Sequence, residues 1–360
     1  MPPWPTELKE DHGEPVCARI KFHGIALLLA QHDPDLAGWP AAVTATVRDE
    51  ARMQALWEAS HRRAIANLLK AFDAAGITAA AMKGTALAYG HYADPAIRRR
   101  GDTDLYLPGA SRALVRKVLA QCGYAPAGER RPTQEPWSIS AADIFVHEVD
   151  IHWRINDSLA VSRALDRLGC EARFTDLSRL VPGAIAFSGI DNVILTSVNR
   201  ALHKTFGYHV EDERLDDGDR LIWAVDIKLV TDRFTEGDWT LMAQLAAASG
   251  TSGLLQSAIG FADRTLGLGM PPGIVGQLAR PEGADSVAAY VAEASGAGRL
   301  RRDLGAVTTA GELFDLAKLQ LWPGKRVMAD WYPEAEAQPL WALRVRRLAA
   351  LGLRRLGLRS

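Results

Sequence analysis

The alternation of apolar and polar positions is sharpest in two short stretches. Ile144 to Ile155 reads IFVHEVDIHWRI. Phe145, His147, Val149, Ile151 and Trp153 fall on one side, and Glu148, Asp150, His152 and Arg154 on the other. This period of two predicts a strand with one mostly apolar face on a core and one fully polar face. Gly101 to Pro108, GDTDLYLP, predicts a second strand, with Pro-Gly as its stop. Residues i and i+2 of a strand share a face, so Asp102 and Asp104 project together while Thr103, Leu105 and Leu107 project the other way.

Elsewhere the spacing is helical. Helices are expected over Ala18–Gln31 and from Thr44 to about Ala75, the second carrying Val47, Ala51, Leu56, Trp57, Ala64, Ile65, Leu68, Leu69 and Phe72. His61, Arg62 and Arg63 within it read as an exposed polar face. Ile77–Met82 is a short apolar run, read as a strand that feeds through the Gly84 turn into a helix over Thr85–Tyr92. Another helix runs from a Ser111 cap to Gly123, with Leu114, Val115, Val118, Leu119 and Cys122 as its stripe. Tyr124–Trp137 reads as a hairpin or loop. Beyond Asn156 the chain turns mainly helical: Leu159–Leu168, Leu177–Leu180, a helix capped by Asp191, then Arg220–Thr231, Trp239–Gly267 and Ser286–Leu304. Ala184–Ser188 is expected as a further strand or part of a hairpin, and Glu211–Arg220 as a solvated acidic loop. His203, beside the apolar stripe of the Asp191 helix, reads as a partly buried structural histidine. The fold class is therefore α+β, a small mixed sheet with helical N-terminal and C-terminal segments. The expected division is a helical segment over 1–75, the sheet-bearing core over 76–156, a mainly helical domain over 157–335 and a basic tail over 336–360.

Composition adds little to this picture. The chain has 360 residues, a net charge of −1 and three cysteines, Cys17, Cys122 and Cys170, far apart in sequence. That balance gives no global electrostatic case for nucleic acid. The cysteines suggest a reducing compartment without a metal–thiolate cluster, and the acidic, Pro-rich start is not a signal peptide, so the cytoplasm is expected.

The chemistry lies on the two strands. Neighbouring carboxylates raise each other's pKa, which a chain tolerates where a cation sits between them; hard oxygens on a rigid strand suit Mg²⁺. If the Ile144–Ile155 strand lies beside the first, Asp150 joins Asp102 and Asp104, and such a cluster can hold two Mg²⁺ ions for in-line phosphoryl or nucleotidyl transfer. The Lys83-Gly84-Thr85 junction points backbone N–H groups and a helix N-terminus at an anion.

In order along the chain stand KGTAL at 83–87, Arg98 ahead of Asp102-x-Asp104-Leu105, and Val149-Asp150-Ile151-His152-Trp153. This series resembles the nucleotidyltransferases of the DNA-polymerase-β-like superfamily, and most closely the bacterial uncharacterised nucleotidyltransferase family, with its KG-x-A-L, R-x-x-x-D-x-D-L and D-x-H-W elements. The toxin branch with a GGTAL element is a more distant likeness. Weaker matches at Leu202-His203, Arg220-Leu221-Ile222-Trp223 with Asp226, and Leu321-Trp322-Pro323 extend the resemblance over roughly residues 55 to 332.

The resemblance implies transfer of a nucleoside monophosphate from an NTP, ATP among the candidates, to an acceptor. Asp102, Asp104 and Asp150 would be catalytic and hold two Mg²⁺ ions, with Mn²⁺ as the alternative. Gly84 and Thr85, flanked by Lys83, would dock the triphosphate. Arg98 would clamp a phosphate or steady Asp102. His152 would meet metal or phosphate, or bond a carboxylate from behind. Arg220, Asp226 and Lys228 are candidates for the wall around base and sugar. The acceptor is left open among a small molecule, an RNA end, a peptide and a protein side chain, and the oligomeric state is not specified. A catalytically weak nucleotide- or peptide-binding accessory protein on the same fold is the alternative. The last stretch, LWALRVRRLAALGLRRLGLRS, holds six arginines and no acid. A membrane-surface helix, a grip on RNA or another acidic partner, and a basic tail with no specific role all fit it.

Overall fold

The structure, a computed structural model, describes residues 4, 12–128, 130–141, 144–210, 213–215, 218–278, 286–324, 328 and 338–355. Most of the Pro-rich start and the last five residues of the basic tail lie outside them.

The chain opens with α1 (Gly13–His23), α2 (Ala26–His32) and the long α3 (Ala41–Ala74). Gly24, in the left-handed region at φ 68°, splits what the spacing presents as a single helix. Next come β1 (Ala80–Met82), α4 (Lys83–His91), β2 (Asp102–Tyr106), α5 (Arg112–Gln121), β3 (Ala125–Pro126), β4 (Gln134–Ser140) and β5 (Val146–His152). After α6 (Leu159–Leu165), β6 (Thr175–Asp176) and β7 (Ile185–Ala186) return to the sheet, and α7 (Gly189–Phe206) follows. Leu177–Leu180, expected as helix, is a turn between β6 and β7. Ser188, not Asp191, caps α7, its side chain accepting the Asp191 N–H. Ser111 stands at the N-cap of α5 without a side-chain capping bond.

The acidic stretch after α7 is not a plain loop, because β8 (Tyr208–Val210) and β9 (Glu213–Leu215) pair there as a hairpin. Then come α8 (Leu221–Thr231), α9 (Glu236–Ser249), α10 (Ser252–Leu266), α11 (Ile274–Leu278), α12 (Ser286–Val291), α13 (Gly296–Gly305), α14 (Ala310–Leu321) and α15 (Leu340–Arg355). Gly250, left-handed at φ 64°, separates α9 from α10. Along α15, Arg344 and Arg347 donate to the Pro323 and Gln320 carbonyls. Among the described residues no helix is long and apolar enough to cross a membrane.

The seven-stranded mixed sheet has the order β3-β4-β5-β2-β1-β7-β6. β2 runs antiparallel to β1 and parallel to β5, and β1 runs parallel to β7. Alternation along each strand divides the interior into two cores. Ala81, Leu105, Val149 and Ile151 pack with Ile65, Leu68, Leu69 and Phe72 of α3 and Val115, Val118 and Leu119 of α5. Ala80 and Met82 face the opposite way, into the larger core formed by α6 to α10. On that second side a cavity opens over the polar face of β2 and β5.

Candidate active site

Three elements converge on the cavity. Because β2 and β5 run parallel in the register Asp102↔Glu148, Asp104↔Asp150 and Tyr106↔His152, the polar faces of both strands come together. The β1–α4 junction supplies Lys83 and Gly84 from the other side. The cavity has a volume of about 810 Å³, and its walls include Lys83, Gly84, Arg98, Asp102, Asp104, Glu148, Asp150, His152 and Arg220. One oxygen of Asp104, one of Asp150 and a ring nitrogen of His152 lie within 4.8 Å of one another, a grouping that could hold a metal ion. Two carboxylate oxygens with one imidazole suit a divalent metal ion.

The electrostatics follow from this crowding. Asp104 is buried, and its Oδ1 accepts from both Lys83 Nζ and His152 Nε2, each at 2.7 Å. Burial alone would raise its pKa; the Lys83 ammonium and the His152 bond prevail and hold it well below the usual carboxylate range. Asp102 is exposed and opens on the cavity lumen. Desolvation there, then Asp104 and Asp150, push its pKa up to about 7. Asp150, desolvated and facing Asp104, is pushed up to about 6. For Lys83 burial works downward, but Asp104, with Asp102 and Asp150 behind it, raises its pKa.

These shifts carry a stability prediction. A carboxylate whose folded pKa is raised favours the folded state while protonated, so the contribution of Asp102 to metal-free stability falls as pH climbs from about 4 towards 7. Asp102→Asn should raise metal-free stability at pH 8 and flatten this decline. Water in the cavity screens the repulsion, so the gain is about 1–2 kcal/mol. Thermal melts of both proteins in chelator from pH 4 to 8 check it; an unchanged or lower melting temperature for the variant at pH 8 would refute the crowding.

Behind β2 a buried polar network fixes the strand that carries the aspartates. Arg100 Nη2 donates to His61 Nδ1 at 3.3 Å and pairs with Glu58 at 2.7 Å. A guanidinium only donates, so His61 Nδ1 accepts and its Nε2–H donates to Thr103 Oγ1 at 2.6 Å. Thr103 lies between the two aspartates and points to the back of the sheet. Burial, then Arg100 and His147, keep the His61 pKa well below its ordinary value. His61 is thus a buried part of the scaffold, contrary to the exposed face expected from sequence; its neighbours Arg62 and Arg63 are exposed.

Other expected site residues are distributed as follows. Thr85 is buried and its hydroxyl bonds Thr103 and Arg100 behind the sheet, while Gly84 faces the cavity. Arg98 Nε grips both oxygens of Asp226, at 2.8 and 3.0 Å. Asp226 is buried and, like Lys228, is not part of the cavity wall; Lys228 pairs with Asp232 at 2.8 Å. Arg220 is in the wall and donates to the Phe22 carbonyl at 2.6 Å. The helical wall is instead built largely from α7: Thr196, Asn199, Leu202, His203 and Phe206, with His203 stacked on Trp223 at 6.1 Å between ring centroids. A polar 196/199/203 stripe at helical spacing was the available signal for this face, but the apolar stripe beside it is stronger.

No curated protein matches the chain. A family model described as uncharacterised nucleotidyltransferase matches residues 12–267, which span the sheet, the three aspartates and every wall residue named above. On that match the chain belongs to the uncharacterised nucleotidyltransferase family.

Proposed function

We propose that the chain is a metal-dependent enzyme of DNA-polymerase-β-like type that moves a nucleoside monophosphate from an NTP to an acceptor hydroxyl and releases pyrophosphate. The main support is the β2/β5 register, which sets Asp104 beside Asp150 with Asp102 on the same face, across a cavity from the Gly84 junction. Asp102, Asp104 and Asp150, with His152 at hand, would hold Mg²⁺ or Mn²⁺. Such ions neutralise charge on the transferring phosphate.

The chain's own groups do the rest. The N-terminus of α4 directs the Gly84 N–H towards the β- and γ-phosphates. Thr85 is left with its backbone N–H for this purpose, since its hydroxyl is engaged behind the sheet. The acceptor oxygen attacks the α-phosphorus, the bond to the bridging oxygen breaks, and pyrophosphate leaves. Asp150, on the same face as Asp104, takes the acceptor's proton as general base. Asn199, Thr196 and the His203–Trp223 stack form the wall for base and sugar. Acceptors of this reaction range over small molecules, RNA ends, peptides and proteins.

The test supplies each NTP, labelled in turn at the α- or γ-phosphate, with Mg²⁺ and a cell extract separated into RNA, protein and small molecules. The expected result is α-label in one fraction and γ-label released as pyrophosphate. γ-label in the acceptor would make the enzyme a kinase. Metal-dependent NTP binding with no transfer to any fraction would favour an accessory binding role.

A further inference from the structure

We propose that Lys83 is a built-in counter-ion that pairs with Asp104 and passes to the substrate's triphosphate when metal and nucleotide arrive. The inference rests on the metal-dependent reading above and deepens it.

Lys83 Nζ lies 2.7 Å from Asp104 Oδ1 and in the field of Asp102 and Asp150. It is the one lysine in the cavity wall among the described residues. Of the arginines in the wall, Arg98 holds Asp226, Arg99 holds Glu50 and Arg100 holds Glu58, while Arg220 donates to the Phe22 carbonyl. Asp104 Oδ1 is shared by an ammonium and an imidazole, on a carboxylate grouped with Asp150 and His152 as a set that could hold a metal ion. An ammonium and a dication at contact distance repel twice as strongly as two single charges, so both cannot hold that oxygen at full strength.

The backbone at Lys83 supports a fixed pivot. Its φ is +54°, a left-handed conformation that residues other than glycine seldom take. The conformation is pinned by the Lys83 N–H, which donates to Asn192 Oδ1 at 2.8 Å. The Asn192 amide is itself oriented by bonds to the Phe187 and Ser188 carbonyls, at 2.9 and 3.1 Å. A flexible four-carbon stem on a fixed base, ending in a compact charge with three donors, can exchange a carboxylate for a phosphate. It also sits beside Gly84, where the triphosphate would lie.

The experiment measures Mn²⁺ binding without nucleotide at pH 8, by the loss of the free-ion EPR signal, for the native protein, Lys83→Met and Lys83→Arg. Removing the competing charge should tighten Mn²⁺ binding at least tenfold in Lys83→Met, while Lys83→Arg stays within about threefold of native, because it keeps the charge. Binding of a non-hydrolysable NTP in the presence of Mn²⁺ should weaken at least tenfold in Lys83→Met. Circular dichroism melts establish that the variants are folded. Mn²⁺ binding in Lys83→Met that is unchanged, weaker or absent overturns the inference. Failure of the native protein to bind the NTP analogue with Mn²⁺ would instead overturn the nucleotidyltransferase reading, and the nucleotide-free comparison would still decide whether Lys83 competes with metal.

Discussion

Replacing Asp104 with asparagine should lower nucleotide transfer by about a thousandfold or more, and weaken Mn²⁺ binding in parallel, while leaving the protein folded. Asp104 is the carboxylate on which the site converges, held ionised by Lys83 and His152 and set beside Asp150 by strand register. Asparagine keeps the shape and one accepting oxygen but loses the charge that binds a cation. A lost contribution of several kcal/mol to phosphate-charge stabilisation corresponds to a thousandfold or more in rate. The fold tolerates the change because the Lys83 ammonium retains Asp102 and Asp150 nearby. Initial rates of α-label transfer, EPR titration and a melting curve on one sample separate catalysis from stability. Transfer within tenfold of native would remove Asp104 from the chemistry.

Asp226→Ala should destabilise the protein by about 3–5 kcal/mol, the cost of breaking a buried ion pair from one side. Asp226 is 1 % exposed. Both its oxygens accept from Arg98 Nε, and Oδ1 also accepts from the Tyr92 hydroxyl at 2.6 Å. Removing the carboxylate leaves a guanidinium and a phenol in the interior without it. Burial, followed by the nearby Asp226 charge, holds the Tyr92 pKa well above its ordinary value; the phenol therefore stays a donor and cannot replace the lost charge. The pair ties α8 to the segment leading into Asp102, so the loss also loosens the strand bearing the aspartates. Asp226→Asn keeps an acceptor for Tyr92 and should cost less than Asp226→Ala. Urea unfolding of the three proteins measures this. A loss below about 1 kcal/mol for Asp226→Ala would mean that Arg98 finds another carboxylate or water.

The features legible in the sequence were the local ones. The alternation in IFVHEVDIHWRI and the D-x-D pattern located both strands and their polar faces, because side-chain direction on a strand has a period of two whatever the partner. Gly84 at a strand–helix junction was readable for the same reason. The pairing of these strands was only conditional, since register depends on contacts across the chain.

Long-range partners were out of reach. Arg98, expected at a phosphate or beside Asp102, is held instead by Asp226 of α8, far along the chain. His61 lies between two arginines on α3, a sequence typical of a solvated face, yet Thr103 and Arg100 receive it in the interior. Thr85 carries the right residue type for a phosphate site, but its side chain leaves α4 towards α3 and the back of β2. The α7 wall was hidden because His203 adjoins an apolar stripe that reads as core. In each case a partner distant in sequence determined the role.

The measurement closest to the central claim is anomalous scattering at the manganese edge from crystals grown with Mn²⁺ and a non-hydrolysable NTP. The expected result is a manganese peak bonded to Asp104 and Asp150, with the triphosphate running from it towards Gly84 and the base against α7. Manganese and nucleotide bound away from these carboxylates, or carboxylates still paired with Lys83 at saturating Mn²⁺ and nucleotide, would contradict a metal-dependent nucleotidyl site in this cavity.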